Sequence, residues 1–203
     1  LSMAVAPMGI SACKNPEACA GGADGETDDA LRARVLDTYK RLPNGANTAF
    51  YQQGALSFDQ VAAAAVIPRP RWVGSVDVVP ATLAGLPGQE LLEELQAYFD
   101  ARREIAVDLR VRAPETVTVD IAVQVAHGEG RDKAQVLAQV EQSLREWFTG
   151  RLLGQDILRA KLGELIYHCD GVVNYAITAP AADLPVDDDT LPVLGTLTVE
   201  EKP

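Results

Sequence analysis

Pro114-Glu115-Thr116-Val117-Thr118-Val119-Asp120-Ile121-Ala122-Val123-Gln124-Val125-Ala126-His127 lies past the middle of the chain, and its reading decides the fold class. Val117, Val119, Ile121, Val123 and Val125 recur at every second position, which is the period of a strand with one buried face. Pro114 breaks the chain in front of it. Just upstream, Val107, Leu109 and Val111 alternate with Asp108, Arg110 and Arg112, which predicts a second, shorter strand. Downstream the period changes to that of helices. Asp132 is placed to cap a helix carrying Val136, Leu137, Val140, Leu144, Trp147 and Phe148. Asp156 is placed to cap another, carrying Leu158, Leu162, Leu165 and Ile166. Strand-like Val172–Thr178, an acidic loop with proline and strand-like Leu194–Val199 close the chain.

Working back towards the N-terminus, Pro87 and Gly88 introduce a helix with Leu91, Leu92, Leu95, Tyr98 and Phe99 on one stripe. Before it come two predicted strands, Val61–Ile67 and Val73–Val79, separated by Pro68-Arg69-Pro70-Arg71. Asn47 can cap a helix over about 48–58, with Tyr51, Ala55 and Phe58 on one side. Earlier still, Gly21-Gly22-Ala23-Asp24-Gly25-Glu26-Thr27-Asp28-Asp29 leads into a helix expected at 28–42. Thr27 or Asp28 can accept from its first turn, and Asp28 and Asp29 complement the positive end of its dipole. Leu31, Val35, Tyr39 and Leu42 share one face, and Pro43-Asn44-Gly45 stops the helix. Residues 1–26 are rich in Gly, Ala and Pro and read as a linker or entry loop.

The expected fold is α+β, with helices packed on small, mainly antiparallel sheets. An internal echo divides it into two related halves, 27–113 and 114–203. In the first copy a helix precedes Val61 to Pro68 and then Gly74-Ser75-Val76-Asp77-Val78. In the second a helix precedes Val172 to Pro180 and then Gly195-Thr196-Leu197-Thr198-Val199. Each has a short strand ending in proline and a glycine opening a return strand.

Composition narrows the functional classes. The chain is 47% hydrophobic and 23% charged, an ordinary globular balance that can bury a core. A formal net charge of −11 argues against nucleic acid, whose binding depends on clustered Lys and Arg. Only 5% of residues are aromatic, too few for a base-stacking platform. No apolar run approaches the roughly 20 residues that span a bilayer. Cys13, Cys19 and Cys169 leave one odd thiol under any internal pairing, and reduced thiols in a cytosolic setting are expected. Cys13 and Cys19 share one segment and could approach each other. The chain starts at Leu1 without an initiating Met or a basic leader, which suggests a fragment.

A search for chemistry assigns no catalytic, cofactor-binding or metal residue. His127 is expected to be exposed at a strand end. His168, before Cys169 and Asp170, is expected at a helix end, where hydrogen-bonding side chains satisfy terminal carbonyls. A His168/Cys169 metal or nucleophile pair lacks partners. Zinc-protease, redox-dithiol, nucleophile-elbow, phosphate-loop and dinucleotide motifs are missing. Asp187-Asp188-Asp189 lacks the alternating spacing and closing Glu of a calcium loop, and reads as solvated. Arg69 and Arg71 beside Trp72 carry two readings. One is an anchor for a protein partner, since Arg and Trp are enriched at hot spots. The other is an exposed hairpin tip with a partly buried Trp.

The sequence resembles the baseplate J-like family, the wedge proteins of contractile phage tails and related contractile injection particles. The resemblance is carried by Asn15-Pro16, Gly21-Gly22-Ala23-Asp24, Glu26-Thr27-Asp28, Leu31-Arg32-Ala33-Arg34 and Pro43-Asn44-Gly45-Ala46-Asn47. Further matches are Ala55-Leu56-Ser57, Val61, Gly74-Ser75-Val76, Ala113-Pro114, Gly171-Val172-Val173, Ala179-Pro180 and Leu191-Pro192-Val193-Leu194-Gly195. Ala46 stands where the family usually has a second glycine, and members usually carry a further N-terminal region. The resemblance implies an architectural, non-enzymatic part without cofactors. It implies other wedge and tail proteins as partners, two copies per wedge, and a place in a tail baseplate assembled in the bacterial host cytoplasm. A second reading is the equivalent part of a secretion or killing particle. The remaining rivals are a hydrolase using carboxylates of Gly88–Glu94 and a small binding module. The helix at 28–42 and the sheet edges are the expected contacts with neighbouring subunits.

Overall fold

The structure, a computed structural model, describes residues 27–29, 31–32, 35–36 and 47–202. The chain divides into two compact units, Leu1–Arg41 and Leu42–Pro203. In the first, Asp28, Asp29, Leu31, Arg32, Val35 and Leu36 are helical, and the Leu31 N–H donates to Thr27 O at 2.9 Å. Leu31 and Val35, expected on one face of this helix, are both exposed. The 1–26 linker, Tyr39, Leu42, the Pro43 turn, Cys13 and Cys19 lie outside the described residues.

The second unit begins with α1 (Thr48–Leu56), capped as expected: the Phe50 N–H donates to Asn47 Oδ1 at 2.9 Å. Next come β1 (Val61–Pro68) and β2 (Ser75–Thr82), an antiparallel hairpin. Then α2 (Gln89–Asp100) crosses over to β3 (Asp108–Val111), which runs parallel to β2. The long alternating stretch is β4 (Glu115–His127). It is followed by α3 (Lys133–Trp147), a 3-10 turn at Gly150–Leu152, α4 (Arg159–Tyr167), β5 (Val172–Ala179) and β6 (Thr190–Glu201). Two three-stranded sheets result, ordered β1-β2-β3 and β5-β4-β6.

The α+β class and the pair of halves stand, but the strand directions are a correction. Each sheet is mixed, with a central strand paired antiparallel on one side and parallel on the other. The second copy of the echo is not a hairpin either. β5 and β6 flank β4 on opposite sides, and Gly195 sits inside β6 rather than at its start. Prolines misled the strand limits. Pro80 lies inside β2, yet Val78 O, two residues earlier, is the last to accept from the β3 side, at the Arg112 N–H. The missing N–H of Pro80 therefore falls where β3 has already ended. Asp156 does not cap α4. Its Oδ1 accepts from the Val186 N–H, and Asp183 instead accepts from the Arg159 N–H at 2.7 Å.

Two apolar clusters use opposite faces of the first sheet. Val78 and Ala64 pack with Tyr51, Leu91, Leu95 and Phe99 of α1 and α2. Val79 and Ala81 belong to the larger cluster built from β4, α3 and α4, with Ile121, Val140, Leu144 and Ile166 fully buried. Each such side chain contributes on the order of 1.5–3 kcal/mol. The first sheet is thus covered on both sides, which is why β2 is buried almost without alternation.

The halves meet closely at Gly150, whose backbone lies flush against Thr82 O and the Ala81 methyl. A Cβ there would overlap the Thr82 carbonyl, and neither backbone can move without disturbing a core. Gly150→Ala is therefore expected to destabilise the fold by about 1–3 kcal/mol. Gly88→Ala, with open space around the new methyl, should change the urea midpoint little.

Candidate interaction surface

The β1–β2 turn is held from within. Arg69 takes a positive φ of 61° and Gly74 a φ of 95°, so the seven residues from Pro68 reverse tightly. Buried Ser75 organises them: its Oγ accepts from the N–H groups of Arg71 and Trp72, each at 3.1 Å, and donates to Trp72 O at 2.8 Å. Gly74 also backs onto Ala106 O, and its carbonyl accepts from the Asp108 N–H at 2.9 Å. The turn is thereby tied to the α2–β3 loop. That loop is fastened by Arg103 to Asp100 at 2.9 Å and to Val107 O.

The charged residues at the tip have a structural task that the sequence did not reveal. Arg71 turns back onto Asp77 and onto Asp108 at 3.1 Å. Asp77 is only 4% exposed, on the β2 face that looks towards the second half. Its other oxygen takes Arg112 Nε at 2.8 Å, and Arg112 goes on to bond Asp189 in the loop before β6. Burial works against the charge on Arg71 and Arg112. The paired carboxylates outweigh it, holding both guanidinium groups above their usual range. Asp189 is therefore not a solvated loop residue.

With Arg71 drawn inward, the apolar side chains are left outside. Trp72 is 57% exposed and Val73 87%, correcting the partly buried Trp of one expectation. Arg71 lies 5.3 Å from the Trp72 ring centroid, which fixes one side of the indole. Ile105, in the loop tied to Gly74, is fully exposed at the same end of the sheet. Trp72 and Val73 on the turn and Ile105 on the loop tied to it are thus exposed apolar side chains on a locked frame.

The other residues singled out from sequence do not converge. His127 is half-buried and pairs with Glu201 at 3.3 Å, and Lys133 bonds the other Glu201 oxygen. His168 Nδ1 lies 3.0 Å from Glu164 O, and Cys169 Sγ donates to Leu165 O, so both turn into the last turn of α4. Burial raises the Cys169 thiol pKa. Among the described residues no group of three or more His, Cys, Asp or Glu could hold a metal ion. No helix described is long and apolar enough to cross a membrane. The groove between α2 and β3, about 430 Å³, contains Glu93 opposite Arg110 and Arg112 rather than paired carboxylates.

Two predictions follow from these ion pairs. Arg112→Ala leaves Asp77 with one partner and strips Asp189, and should cost roughly 3–5 kcal/mol in urea unfolding. Lys133 first, then His127, hold the Glu201 carboxyl below the ordinary glutamate range. Stability from this cluster is present above the unfolded glutamate pKa and fades as pH falls through the lower folded value. Lys133→Ala should flatten that acid-side fall in thermal midpoint.

Comparison with known proteins agrees with this architecture. The Baseplate J-like central domain matches residues 43–124, and the Baseplate J-like protein C-terminal domain matches residues 119–200. Two curated relatives come from Bacillus subtilis (strain 168). Uncharacterized protein YqbT is 24% identical over 193 residues, covering 89% of this chain and 56% of that protein. Phage-like element PBSX protein XkdT is 22% identical over the same length, with the same coverage. The chain therefore spans about half the length of the curated relatives it matches. A chain in the six-fold symmetrised baseplate of the anti-feeding prophage (AFP) shares the fold, with a TM-score of 0.55 and 11% identity. The match covers 83% of this chain and 42% of that one.

Proposed function

Because this chain belongs to the baseplate J-like family, we propose that it is a structural part of a contractile tail baseplate of phage or prophage type, working through subunit interfaces and not through bond chemistry. The observation that carries this reading is the tip of the first sheet. Trp72 and Val73 are held out in solvent on a turn whose polar groups are spent on its own frame, and Ile105 is exposed on the α2–β3 loop tied to that turn. Large apolar side chains on a rigid mount suit an anchor that enters a partner's pocket without an ordering penalty. The phage-like element relative supports a prophage setting. A particle of the anti-feeding prophage kind is the second reading; the likeness to that baseplate is one of fold.

In this reading the partners are other baseplate and tail proteins, together with a second copy of the chain, and assembly takes place in the bacterial cytoplasm. The halves are taken to divide at 113/114, and within the unit Leu42–Pro203 the two sheets act as one block, because Arg112 and Gly150 join them. No catalytic role is assigned to any residue.

Reconstitution with the baseplate proteins encoded beside it tests the proposal. The Trp72→Ala/Val73→Ser variant should keep its thermal midpoint, since both side chains are already solvated. It should be recovered in assembled baseplates at least tenfold less than wild type, as expected for loss of a hot spot worth about 1.4 kcal/mol or more. Equal incorporation of variant and wild type would overturn the assignment of the tip. A turnover activity lost on changing one side chain would overturn the structural role itself.

A further inference from the structure

Among the described residues, the second sheet leaves a strand position beside β4 unfilled, one that the tip does not involve. β4 is paired with β6 along nearly its whole length, from Glu115 opposite Thr190 to Val125 opposite Glu201. On its other side β5 pairs only from His127 back to Ala122. β5 ends at Ala179, and Pro180 has no N–H with which to continue the ladder. Among the described residues no strand runs beside β4 from Glu115 to Ile121 on that side.

The direction of the backbone groups follows from two bonds. The Glu115 N–H donates to Asp189 O at 3.1 Å, and Val125 O accepts from the Lys202 N–H at 2.9 Å; both lie on the β6 side. Odd-numbered residues of β4 thus face β6 with their main-chain groups, and even-numbered ones face away. Thr116, Thr118 and Asp120 direct their N–H and C=O groups into the vacant position. The segment is solvated: Glu115, Thr116, Val117, Thr118 and Asp120 are all exposed.

Segment 115–121 contains no proline and no lysine. Its bulge, between Val119 and Ile121, lies on the β6 side, and the next irregularity, between Ala122 and Val123, comes only where β5 begins to pair. β6, by comparison, places Pro192 at a position that faces away from β4. Both charged residues on the open segment are acidic. Asp120 Oδ1 accepts from the Thr196 N–H at 2.7 Å, which turns this carboxylate towards β6 and leaves Glu115 as the acidic side chain of the segment without such a bond among the described residues.

We propose that the open edge of β4, residues 115–121, receives an extended basic segment from a different polypeptide, which adds as a strand in the column that β5 leaves. Thr116, Thr118 and Asp120 supply the ladder. Val117 supplies an apolar neighbour on the core side, and Glu115 selects lysine or arginine in the incoming strand. A second copy fits poorly, because it would bring the same acidic residues to an already acidic edge.

The test uses the whole chain and a synthetic probe, the capped nonapeptide Lys-Val-Thr-Val-Lys-Val-Thr-Val-Lys, against a control with serine for lysine. Residue-resolved hydrogen exchange should slow about tenfold at the Thr116, Thr118 and Asp120 amides with the lysine peptide, and less with the serine peptide. Raised salt should weaken the effect. Thr118→Pro removes one N–H that faces the vacancy and none that faces β6, so it should keep the thermal midpoint and lose the protection. Glu115→Lys, which leaves every ladder bond in place, should weaken the lysine peptide selectively and serves should the proline variant not fold. Peptide protection unchanged in Glu115→Lys would overturn the proposal. So would protection that rises with the concentration of the chain alone, which would mark the edge as a contact between copies.

Discussion

The carboxylate of Asp77 is the constraint on which the rest of the arrangement depends. It sits on a buried face of β2, among residues that pack against the other half of the molecule. An isolated charge in such a place is strongly unfavourable, and a carboxylate there must be paired on both oxygens. Arg71 comes from the β1–β2 turn and Arg112 from the link between β3 and β4; Asp189, from the loop before β6, holds the far side of Arg112. Three segments distant in sequence are drawn to one point. The turn cannot swing outward, nor the halves part, without stranding a buried charge.

This constraint separates polar from apolar at the tip. Its arginine is directed inward and its tryptophan, valine and neighbouring isoleucine are left in water. Scattered exposed apolar residues need no explanation, but a group of them on an internally bonded frame does. A part of a large assembly gains from such a design, because little conformational entropy remains to be lost on docking. The second sheet offers a different kind of contact, main-chain groups along an open edge instead of a side-chain anchor.

The two halves share a plan that is spatial and not sequential. In each sheet the central strand has one antiparallel and one parallel neighbour. In the first the antiparallel edge precedes the centre in the chain, and in the second it follows it. A pattern of valines, prolines and glycines can show that strands exist and where they pause. Their partners are chosen by which edges remain free after the helices have covered the faces, and that is a long-range outcome.

Most of the elements could be read from the sequence, because their causes are local. The alternation from Val117 to Val125 made β4 certain, and Asn47 and Asp132 marked the starts of α1 and α3 through bonds spanning two or three residues. Pro80 and Pro192 concealed the full extent of β2 and β6, since whether a missing N–H matters depends on which neighbour faces it. The exchange of Asp156 for Asp183 at the start of α4 is of the same kind, a bond to a loop more than twenty residues away. Arg69, Arg71 and Trp72 could be picked out as a candidate contact. Which of them points to solvent could not, because Asp77, Asp108, Arg112 and Asp189 become neighbours only when the chain has folded. Sequence alone thus settled which helices and strands of the second unit exist, and the family likeness, both governed by short spacings. Tertiary structure decided strand order, the buried ion pairs and the faces left open, because each of these depends on the energy of groups that the chain brings together from afar.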